Sequence, residues 1–265
     1  MIGRVAAALV ALGMSGAALA FDQSHAAWDA LLRRHVAVAA SGVSSRVDYA
    51  GMAADRAPLQ GYLDGLASVT PAEYAAWRRE QKLAFLINAY NAFTVQLVLT
   101  RYPDLASIKD LGSLLSSPWK KEFFSLLGSP RSLDGIEHRL IRAPGAFDEP
   151  RIHFAVNCAS IGCPMLRAEA YVGERLESQL DEAARRFLQD RSRNRYDAAA
   201  RSLEVSKLFD WYGSDFEKAA GSVAAYLARY ADALADDPAG RSAIRQAQAR
   251  VRFLDYDWAL NVTRR

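Results

Sequence analysis

The chain has 265 residues, of which 51% are hydrophobic and 24% are charged. This composition excludes a disordered tail, a collagen and a small disulfide-stapled scaffold, and the length allows one large domain or two small ones with a sizeable core. The net charge of +3, from 33 basic and 30 acidic residues, is too balanced to indicate a nucleic-acid partner. Two cysteines are too few for a disulfide framework.

The first twenty residues have the features of an export signal. Arg4 is their one charge, a short apolar run follows it, and Ala18-Leu19-Ala20 has the small-x-small pattern of a cleavage site. We therefore predict that residues 1–20 are a signal peptide and that residues 21–265 form a single periplasmic or secreted domain. Residues 83–99 are also apolar, but three amides interrupt them. We expect a buried helix there and no membrane span after cleavage.

The first half of the mature sequence is mainly typical of helices. Residues 26–40 are rich in Ala, Leu and Val and predict a helix, whereas residues 46–49 are short and favour an extended segment. Thr70-Pro71-Ala72-Glu73 has the pattern of a capped helix start, with a capping box. The helical pattern then continues to about Leu99, with or without a break near Glu80.

Strand and helix patterns alternate in the second half. A hairpin is predicted between residues 119 and 133, and Asp134 to Glu137 repeats the capping-box pattern and opens a short helix. Residues 151–156 have the β-branched and aromatic side chains of a strand. Further predicted elements are an amphipathic helix at 174–188, strands at 203–205 and 251–258, and helices at 206–212 and 223–234. The predicted fold class is α+β, a single helix-rich domain with a small antiparallel sheet.

Reactive side chains are concentrated between Glu137 and Cys163. Cys158 follows the predicted strand and enters a loop of small residues, whose backbone amides are suited to an oxyanion hole. A thiol needs a base or a positive environment to act as a nucleophile. His138 is the better candidate base, because the first turns of a helix keep its ring neutral. His153 lies five residues before Cys158, so on a regular strand the two side chains point to opposite faces.

The same residues have structural interpretations as well. Glu137 can simply close the capping box, and either histidine can be a hydrogen-bonded structural residue. In an exported protein Cys158 and Cys163 can form a disulfide, which would stabilise the fold by about 2 kcal/mol, so disulfide and free nucleophile both stay open. The spacing of a zinc site is absent, and we expect no metal and no cofactor.

A second group of residues is assigned to substrate binding. Asn88 and Asn91 share one face of the apolar helix and must be hydrogen-bonded where they are buried. They either fix the core or line a site. We assign them to substrate binding together with His153, Ser160 and Cys163, with a peptide-like or small thiol-containing substrate.

Five motifs, in order, resemble the bacterial domain-of-unknown-function family 547 (DUF 547). They are KLAFLINAYNAF at 82–93, LDGIEH at 133–138, PRIHFAVNCASIGCP at 150–164, LFDWYGSDF at 208–216 and YDWALN at 256–261. The resemblance extends from about residue 47 to 261, with Leu86 where the family usually carries Trp. It implies a relation to papain-like thiol enzymes in a permuted arrangement, with a Cys-His-Glu set that here would be Cys158, His138 and Glu137.

These observations predict an exported thiol-dependent hydrolase or acyl transferase that acts on an amide or peptide-like substrate. Cys158 would attack, His138 would move the proton, Glu137 would orient the imidazole, and loop amides after Cys158 would hold the oxyanion. The alternative is a non-catalytic periplasmic binding or interaction module with a Cys158–Cys163 disulfide. A disulfide-exchange protein is a third hypothesis, and the oligomeric state is open.

Overall fold

The structure is a computed structural model that describes residues 20–113 and 116–263. The predicted signal peptide, residues 1–20, lies outside the described residues except for Ala20. About 51% of the structure is helical and 12% lies in small sheets. This confirms the predicted α+β class and the single domain.

Within the described ranges, the α-helices are α1 (Ala26–His35), α2 (Tyr49–Ala54), α3 (Arg56–Ser68), α4 (Pro71–Ala76), α5 (Arg79–Leu99), α6 (Leu176–Gln189), α7 (Leu208–Trp211), α8 (Gly213–Ala220), α9 (Val223–Ala228), α10 (Ala231–Leu234) and α11 (Pro238–Arg245). Short 3₁₀-helices lie at Ile108–Leu111, Pro118–Lys120, Pro150–Phe154 and Gly173–Arg175, and a π-helix at Gly135–Ile141. By length and composition, α5 is the described helix that could cross a membrane, but 89% of that apolar window is buried inside the protein. It is the buried helix that the sequence predicted.

The strands of the described residues are β1 (Val36–Val38), β2 (Ser45–Val47), β3 (Phe124–Leu126), β4 (Ser129–Arg131), β5 (Arg195–Asp197), β6 (Ser202–Val205) and β7 (Arg250–Phe253). They form two antiparallel hairpins, β1–β2 and β3–β4, and a three-stranded sheet in the order β5-β6-β7. The β6–β7 pairing is parallel, with Leu203 opposite Val251. A parallel pair needs a long crossover, and helices α7–α11 supply it.

Two groups of buried apolar side chains form the core. The first surrounds α5 and includes side chains of α1, α3 and the β3–β4 hairpin. The second lies among α6, β6 and helices α7–α11. The 3₁₀-helix Pro150–Phe154 joins them, because Ile152 belongs to the first group and Phe154 to the second. His153 is held between these two anchored neighbours.

Several predicted elements are confirmed and two are wrong. Thr70 caps α4 by accepting the N–H of Glu73 at 3.1 Å, and the hairpin, α6 and β6 lie where they were predicted. The strand predicted at 151–156 is wrong, because this segment is largely the 3₁₀-helix Pro150–Phe154. Pro150 fits the first helical turn, and the Glu149 side chain caps it by accepting the N–H of Arg151 at 3.0 Å.

The capping box predicted at Asp134 to Glu137 is also wrong. Ser132 caps this turn, since its Oγ accepts the N–H of Gly135 at 3.0 Å, whereas Asp134 makes no capping hydrogen bond. The following turn is a wide π-helical turn, in which the N–H of Arg142 donates to the carbonyl of Glu137 at 2.9 Å. The Glu137 side chain is therefore not used as a cap. Wide turns of this kind are frequent at functional sites.

Three boundaries also differ from the prediction. The helix predicted at 26–40 ends at His35 and is followed by β1, and the helix predicted at 223–234 is divided into α9 and α10. The strand predicted at 251–258 is β7, which ends at Phe253. The residues after β7 leave the sheet and run along the loop that contains Cys158 and Cys163.

Candidate functional site

Glu137, His138, His153 and Cys158 line one cleft, with a cavity volume of about 220 Å³. Its other walls are largely aromatic, formed by Tyr90, Trp119, Trp211, Tyr212, Tyr256 and Trp258. We refer to this cavity as the aromatic cleft. The structure thus brings together the three residues predicted to be catalytic, and adds His153 to them.

Cys158 and Cys163 form a disulfide, with Cα atoms 6.1 Å apart. Of the two states that the sequence left open, the structure therefore has the oxidised one. The half-buried Cys158 sulfur also lies 3.2 Å from the Ser160 hydroxyl and 3.3 Å from that of Tyr256. Among the described residues, neither His138 nor His153 is a hydrogen-bond partner of this sulfur.

The loop that carries Cys158 is fixed from two sides. On the α5 side, the Asn91 side chain accepts the N–H of Asn157 at 2.8 Å and donates to the carbonyl of Ala155 at 3.0 Å. On the other side, the N–H groups of Ile161 and Gly162 each donate, at 2.8 Å, to backbone carbonyls of the segment that follows β7. These contacts hold the loop without any help from the sulfur atoms.

Three of the loop amides that were predicted to form an oxyanion hole donate to other groups. Besides the N–H groups of Ile161 and Gly162, that of Ala159 donates to the Asn157 side chain at 2.9 Å. These three amides are therefore not free to hold an oxyanion in the disulfide form. The N–H of Cys158 differs, because its acceptor is the Cys163 sulfur at 2.8 Å.

Backbone strain lies directly beside Cys158. Ala159 has a φ of +60°, in the left-handed region that residues with a side chain disfavour. Such strain is concentrated at functional sites because the surrounding structure must maintain it. In this loop the N–H of Ala159 and its carbonyl are both hydrogen-bonded, to Asn157 and to the N–H of Asn261. The loop is thus held in a conformation that it would not adopt alone.

The His138 imidazole is already engaged with two charged neighbours. Its Nδ1 lies 2.5 Å from a guanidinium nitrogen of Arg142, and because a guanidinium only donates, Nδ1 is the acceptor. Its Nε2 lies 3.8 Å from the Asp134 carboxylate. In the neutral ring Nε2 therefore carries the hydrogen, and the lone pair that a base needs faces Arg142.

His153 has the arrangement of a base held by a carboxylate. Its Nε2 lies 2.8 Å from Asp215, and the same carboxylate accepts two N–H groups of Arg142, at 2.6 and 2.9 Å. Burial alone would raise the pKa of Asp215, but the hydrogen bonds from His153 and Arg142 outweigh it and lower that pKa. The ionised carboxylate can only accept, so His153 Nε2 carries the hydrogen and Nδ1 carries the lone pair.

The free nitrogen of His153 is the basic atom of the cleft. Burial lowers the pKa of His153, which keeps the ring neutral near pH 7. The ring is 1% exposed and stacks on Tyr212 with centroids 3.8 Å apart. Its Nδ1 is buried and, within the described part of the chain, has no hydrogen-bond partner. A buried polar atom without a partner is rare and marks this atom as a candidate contact for a ligand.

Glu137 is the second polar group of the cleft with an unused atom. It is 5% exposed, and its Oε1 has no hydrogen-bond partner among the described residues. The hydroxyls of Tyr90 and Tyr212 approach the Glu137 carboxylate. Burial raises the pKa of both tyrosines, and electrostatic interaction with Glu137 raises it further. The prediction that Glu137 orients His138 finds no support in these contacts, because the His138 ring is held by Asp134 and Arg142.

Most of the residues assigned to substrate binding have other positions. Asn88 bonds to the backbone carbonyl and N–H of Tyr171, at 2.7 and 3.0 Å, and Asn91 fixes the Cys158 loop; neither lines the aromatic cleft. Ser160 lines a second cavity of about 330 Å³, and Cys163 lines both cavities. The structural alternative for the two asparagines is the one that their contacts favour.

Sequence reasoning missed Asp215, Arg142 and Tyr212. Asp215 and Tyr212 lie in the 208–216 motif, but 62 residues separate Asp215 from His153, and no local spacing shows that they meet. The error about residues 151–156 contributed, because the argument that His153 and Cys158 face opposite ways needs a strand. On the 3₁₀-helix and the loop that follows it, both side chains line the aromatic cleft.

Comparison with known proteins gives one match. A family model described as "Protein of unknown function, DUF547" matches residues 74–188. No curated protein and no solved structure matches the chain. The matched segment contains Glu137, His138, His153 and Cys158 but not Asp215. The papain-like relation implied by the resemblance stays a prediction.

Proposed function

The chain belongs to the DUF547 family by its match over residues 74–188, and we propose that it is an exported thiol-dependent hydrolase or acyl transferase that acts on an amide or peptide-like substrate. The observation that supports this proposal is the aromatic cleft, which collects Cys158, a neutral His153 held by Asp215, and two further polar side chains. The proposed active form is the reduced protein.

Activation requires a dithiol reductant. One thiolate of the reductant attacks a sulfur of the Cys158–Cys163 disulfide and forms a mixed disulfide, which the second thiol resolves. Two electrons and two protons pass to the protein, and the reductant becomes a disulfide. The N–H of Cys158 then loses the Cys163 sulfur as a fixed acceptor and is available to a substrate carbonyl oxygen.

Acylation follows from the cleft residues. His153 Nδ1 takes the proton of the Cys158 thiol, and the thiolate attacks the carbonyl carbon of the substrate amide. The carbon–nitrogen bond breaks, the amine leaves with the proton from His153, and a thioester on Cys158 remains. Asp215 holds the His153 ring in the tautomer that this transfer needs. In this proposal His153 takes the role that the sequence assigned to His138, since the His138 lone pair faces Arg142.

The second half of the reaction restores the thiol. Water or an amine attacks the thioester carbonyl carbon, the carbon–sulfur bond breaks, and Cys158 regains a proton through His153. Attack by water gives a carboxylic acid, and attack by an amine gives a new amide. His138, whose Nε2 carries its hydrogen, lies in the same cleft and is proposed to contact the substrate.

The disulfide itself favours a second candidate function. In the oxidised state the aromatic cleft keeps its shape and its unused polar atoms, but Cys158 has no free thiol. A non-catalytic periplasmic module that binds a peptide-like ligand would need no more than this. The two candidates differ in one property, the reactivity of Cys158 after reduction.

Alkylation by iodoacetamide separates the two candidates. The Cys163→Ser variant leaves Cys158 as a single thiol without a reductant, and Cys158→Ser is the matched control that leaves Cys163. We expect Cys158 to react at pH 7 at least tenfold faster than glutathione, which has an ordinary thiol pKa. A Cys158 that reacts no faster than glutathione in the folded variant would refute the enzyme and leave the binding module.

Export is proposed from the features of residues 1–20. At the predicted junction, the N–H of Phe21 donates to the Glu73 carboxylate at 2.9 Å. Removal of the leader would convert this amide into an ammonium group beside a carboxylate. We expect intact-mass measurement of the exported protein to give a chain that begins at Phe21, and an uncleaved chain in the same fraction would contradict the proposal.

A further inference from the structure

Glu137 is a buried carboxylate that forms no ion pair with a described residue, and Arg142 acts on it only electrostatically from a longer distance. It is 5% exposed, and its Oε1 has no hydrogen-bond partner in the described part of the chain. Burial of an unpaired charge is unfavourable, so buried carboxylates are usually paired with a cation and fully hydrogen-bonded. Asp215 differs from Glu137, because its carboxylate is hydrogen-bonded to both Arg142 and His153. The missing partner of Glu137 is therefore expected to come from a ligand.

The second unused atom of the cleft, His153 Nδ1, is also an acceptor. Its ring donates through Nε2 to Asp215, so Nδ1 carries a lone pair and no hydrogen. Glu137 acts on His153 electrostatically. Tyr212 contacts both residues: its ring stacks on the His153 imidazole, and its hydroxyl approaches the Glu137 carboxylate. The cleft thus presents two neighbouring acceptors, and one of them is a carboxylate.

We propose that the aromatic cleft binds a primary ammonium group, which donates one N–H to Glu137 Oε1 and another to His153 Nδ1. An ammonium group has three donors and a positive charge, and so satisfies both atoms and the charge of the carboxylate. An anion would be repelled, a hydroxyl group would leave the carboxylate unneutralised, and a quaternary ammonium has no N–H to donate.

The aromatic walls suit a cation as well. Two basic side chains already lie over rings of this cleft, Lys109 at 4.4 Å from the Trp258 centroid and Arg142 at 5.0 Å from that of Tyr212. Trp211 also lines the cleft and is 43% exposed, so part of its ring is accessible to a further cation. Cation–π attraction in a partly desolvated site adds to the hydrogen bonds.

This inference rests on the proposed function, and it makes the bound amine the acyl acceptor. The ammonium gives one proton to His153 Nδ1, and its nitrogen attacks the thioester carbonyl carbon on Cys158. The nitrogen–carbon bond forms and the carbon–sulfur bond breaks. The nitrogen loses two protons in all, of which one goes to the Cys158 sulfur and one to solvent. The enzyme would then be an acyl transferase that uses primary amines, rather than a hydrolase.

Binding is tested on the oxidised protein, in which thiol chemistry is absent. Tryptophan fluorescence is titrated with n-butylammonium, with trimethylbutylammonium, which has the same charge but no N–H, and with butyrate. We expect saturable binding of n-butylammonium at least tenfold tighter than that of the other two. No binding of n-butylammonium, or equal binding of the trimethyl compound, would overturn the inference.

Two variants locate the site. Glu137→Gln keeps the shape of the side chain and removes its charge, and Asp134→Asn does the same for another carboxylate that lines the cleft. We expect Glu137→Gln to weaken n-butylammonium binding at least tenfold and Asp134→Asn to weaken it less than threefold. Unchanged binding in Glu137→Gln contradicts the proposal. If that variant does not fold, the comparison of the three ligands in the native protein still tests the proposal. Because these titrations need no thiol, an inert Cys158 would refute the proposed function and leave the amine site standing.

Discussion

Reduction of the Cys158–Cys163 disulfide should destabilise the protein only slightly. The two cysteines are 5 residues apart in sequence, so the disulfide closes a very short loop, and the chain-entropy relation gives a loss of about 2 kcal/mol. A protein of ordinary stability, about 5–15 kcal/mol, remains folded after such a loss. The loop also keeps its hydrogen bonds to Asn91 and to the segment after β7, which do not involve sulfur.

Urea unfolding followed by tryptophan fluorescence measures this loss. The oxidised protein is compared with the reduced protein and with Cys163→Ser, which keeps Cys158 but cannot form the disulfide. Both should lose about 2 kcal/mol, equivalent to roughly 4–8 °C in Tm for a domain of this size. A loss above about 5 kcal/mol, or the end of cooperative unfolding, would show that the disulfide is essential to the fold. That result would refute the reduced protein as the active form.

Three further predictions concern the base in the cleft, the pH dependence of stability and the support of the Cys158 loop. When it is added to the Cys163→Ser variant, His153→Ala should slow the iodoacetamide alkylation of Cys158 at pH 7 at least tenfold. His138→Ala should slow it less than threefold, since His138 Nδ1 is engaged by Arg142. The reverse order would assign the base to His138. Burial lowers the pKa of His25 to about 4 and also lowers that of His153. The unfolded chain therefore takes up protons first, and the unfolding free energy should fall as the pH drops from about 6.5 to 4, with up to about 3 kcal/mol from His25; a flat profile, or one that His25→Asn does not flatten, would contradict this. Asn91→Leu leaves the N–H of Asn157 and the carbonyl of Ala155 unpaired and should cost about 2–4 kcal/mol in urea unfolding; a cost below about 1 kcal/mol would show that the loop does not depend on it.

Local patterns were sufficient for part of the fold. The Thr70 cap, the buried α5 helix, the hairpin at 124–131 and the amphipathic α6 helix were all predictable, because each depends on a few neighbouring residues. The parallel pairing of β6 with β7 was not, because a crossover of more than forty residues separates the strands. Sequence pattern shows that a strand is present but not which strand it will meet.

Composition alone misled the prediction at residues 151–156. Ile, Phe and Val favour a strand, but Pro150 and the Glu149 cap produce a 3₁₀-helix, and the apolar side chains are needed there to join two core groups. Tertiary packing here overrides β propensity. The 3₁₀-helix matters for the candidate site, because His153 on this helix and Cys158 after it line the same cleft.

The clustering of the reactive side chains was easier to predict than their contacts. The density of reactive side chains between Glu137 and Cys163 led to the aromatic cleft, and the three residues predicted to be catalytic all line it. Which imidazole has a free lone pair depends on Arg142 and Asp215, and these contacts arise only from the folded packing. Redox state was equally beyond the sequence, which left both alternatives open.

The pH dependence of Cys158 alkylation in Cys163→Ser tests the central claim most directly. A Cys158 thiol that transfers its proton to the Asp215-held imidazole of His153, and is then paired with the imidazolium, should alkylate with a midpoint at least one unit below about 8.5, the ordinary thiol value, and His153→Ala should return the midpoint to that value. A midpoint at or above about 8.5 in the folded protein, unchanged by His153→Ala, would mean that the cleft does not activate Cys158 and that the chain is not a thiol-dependent enzyme.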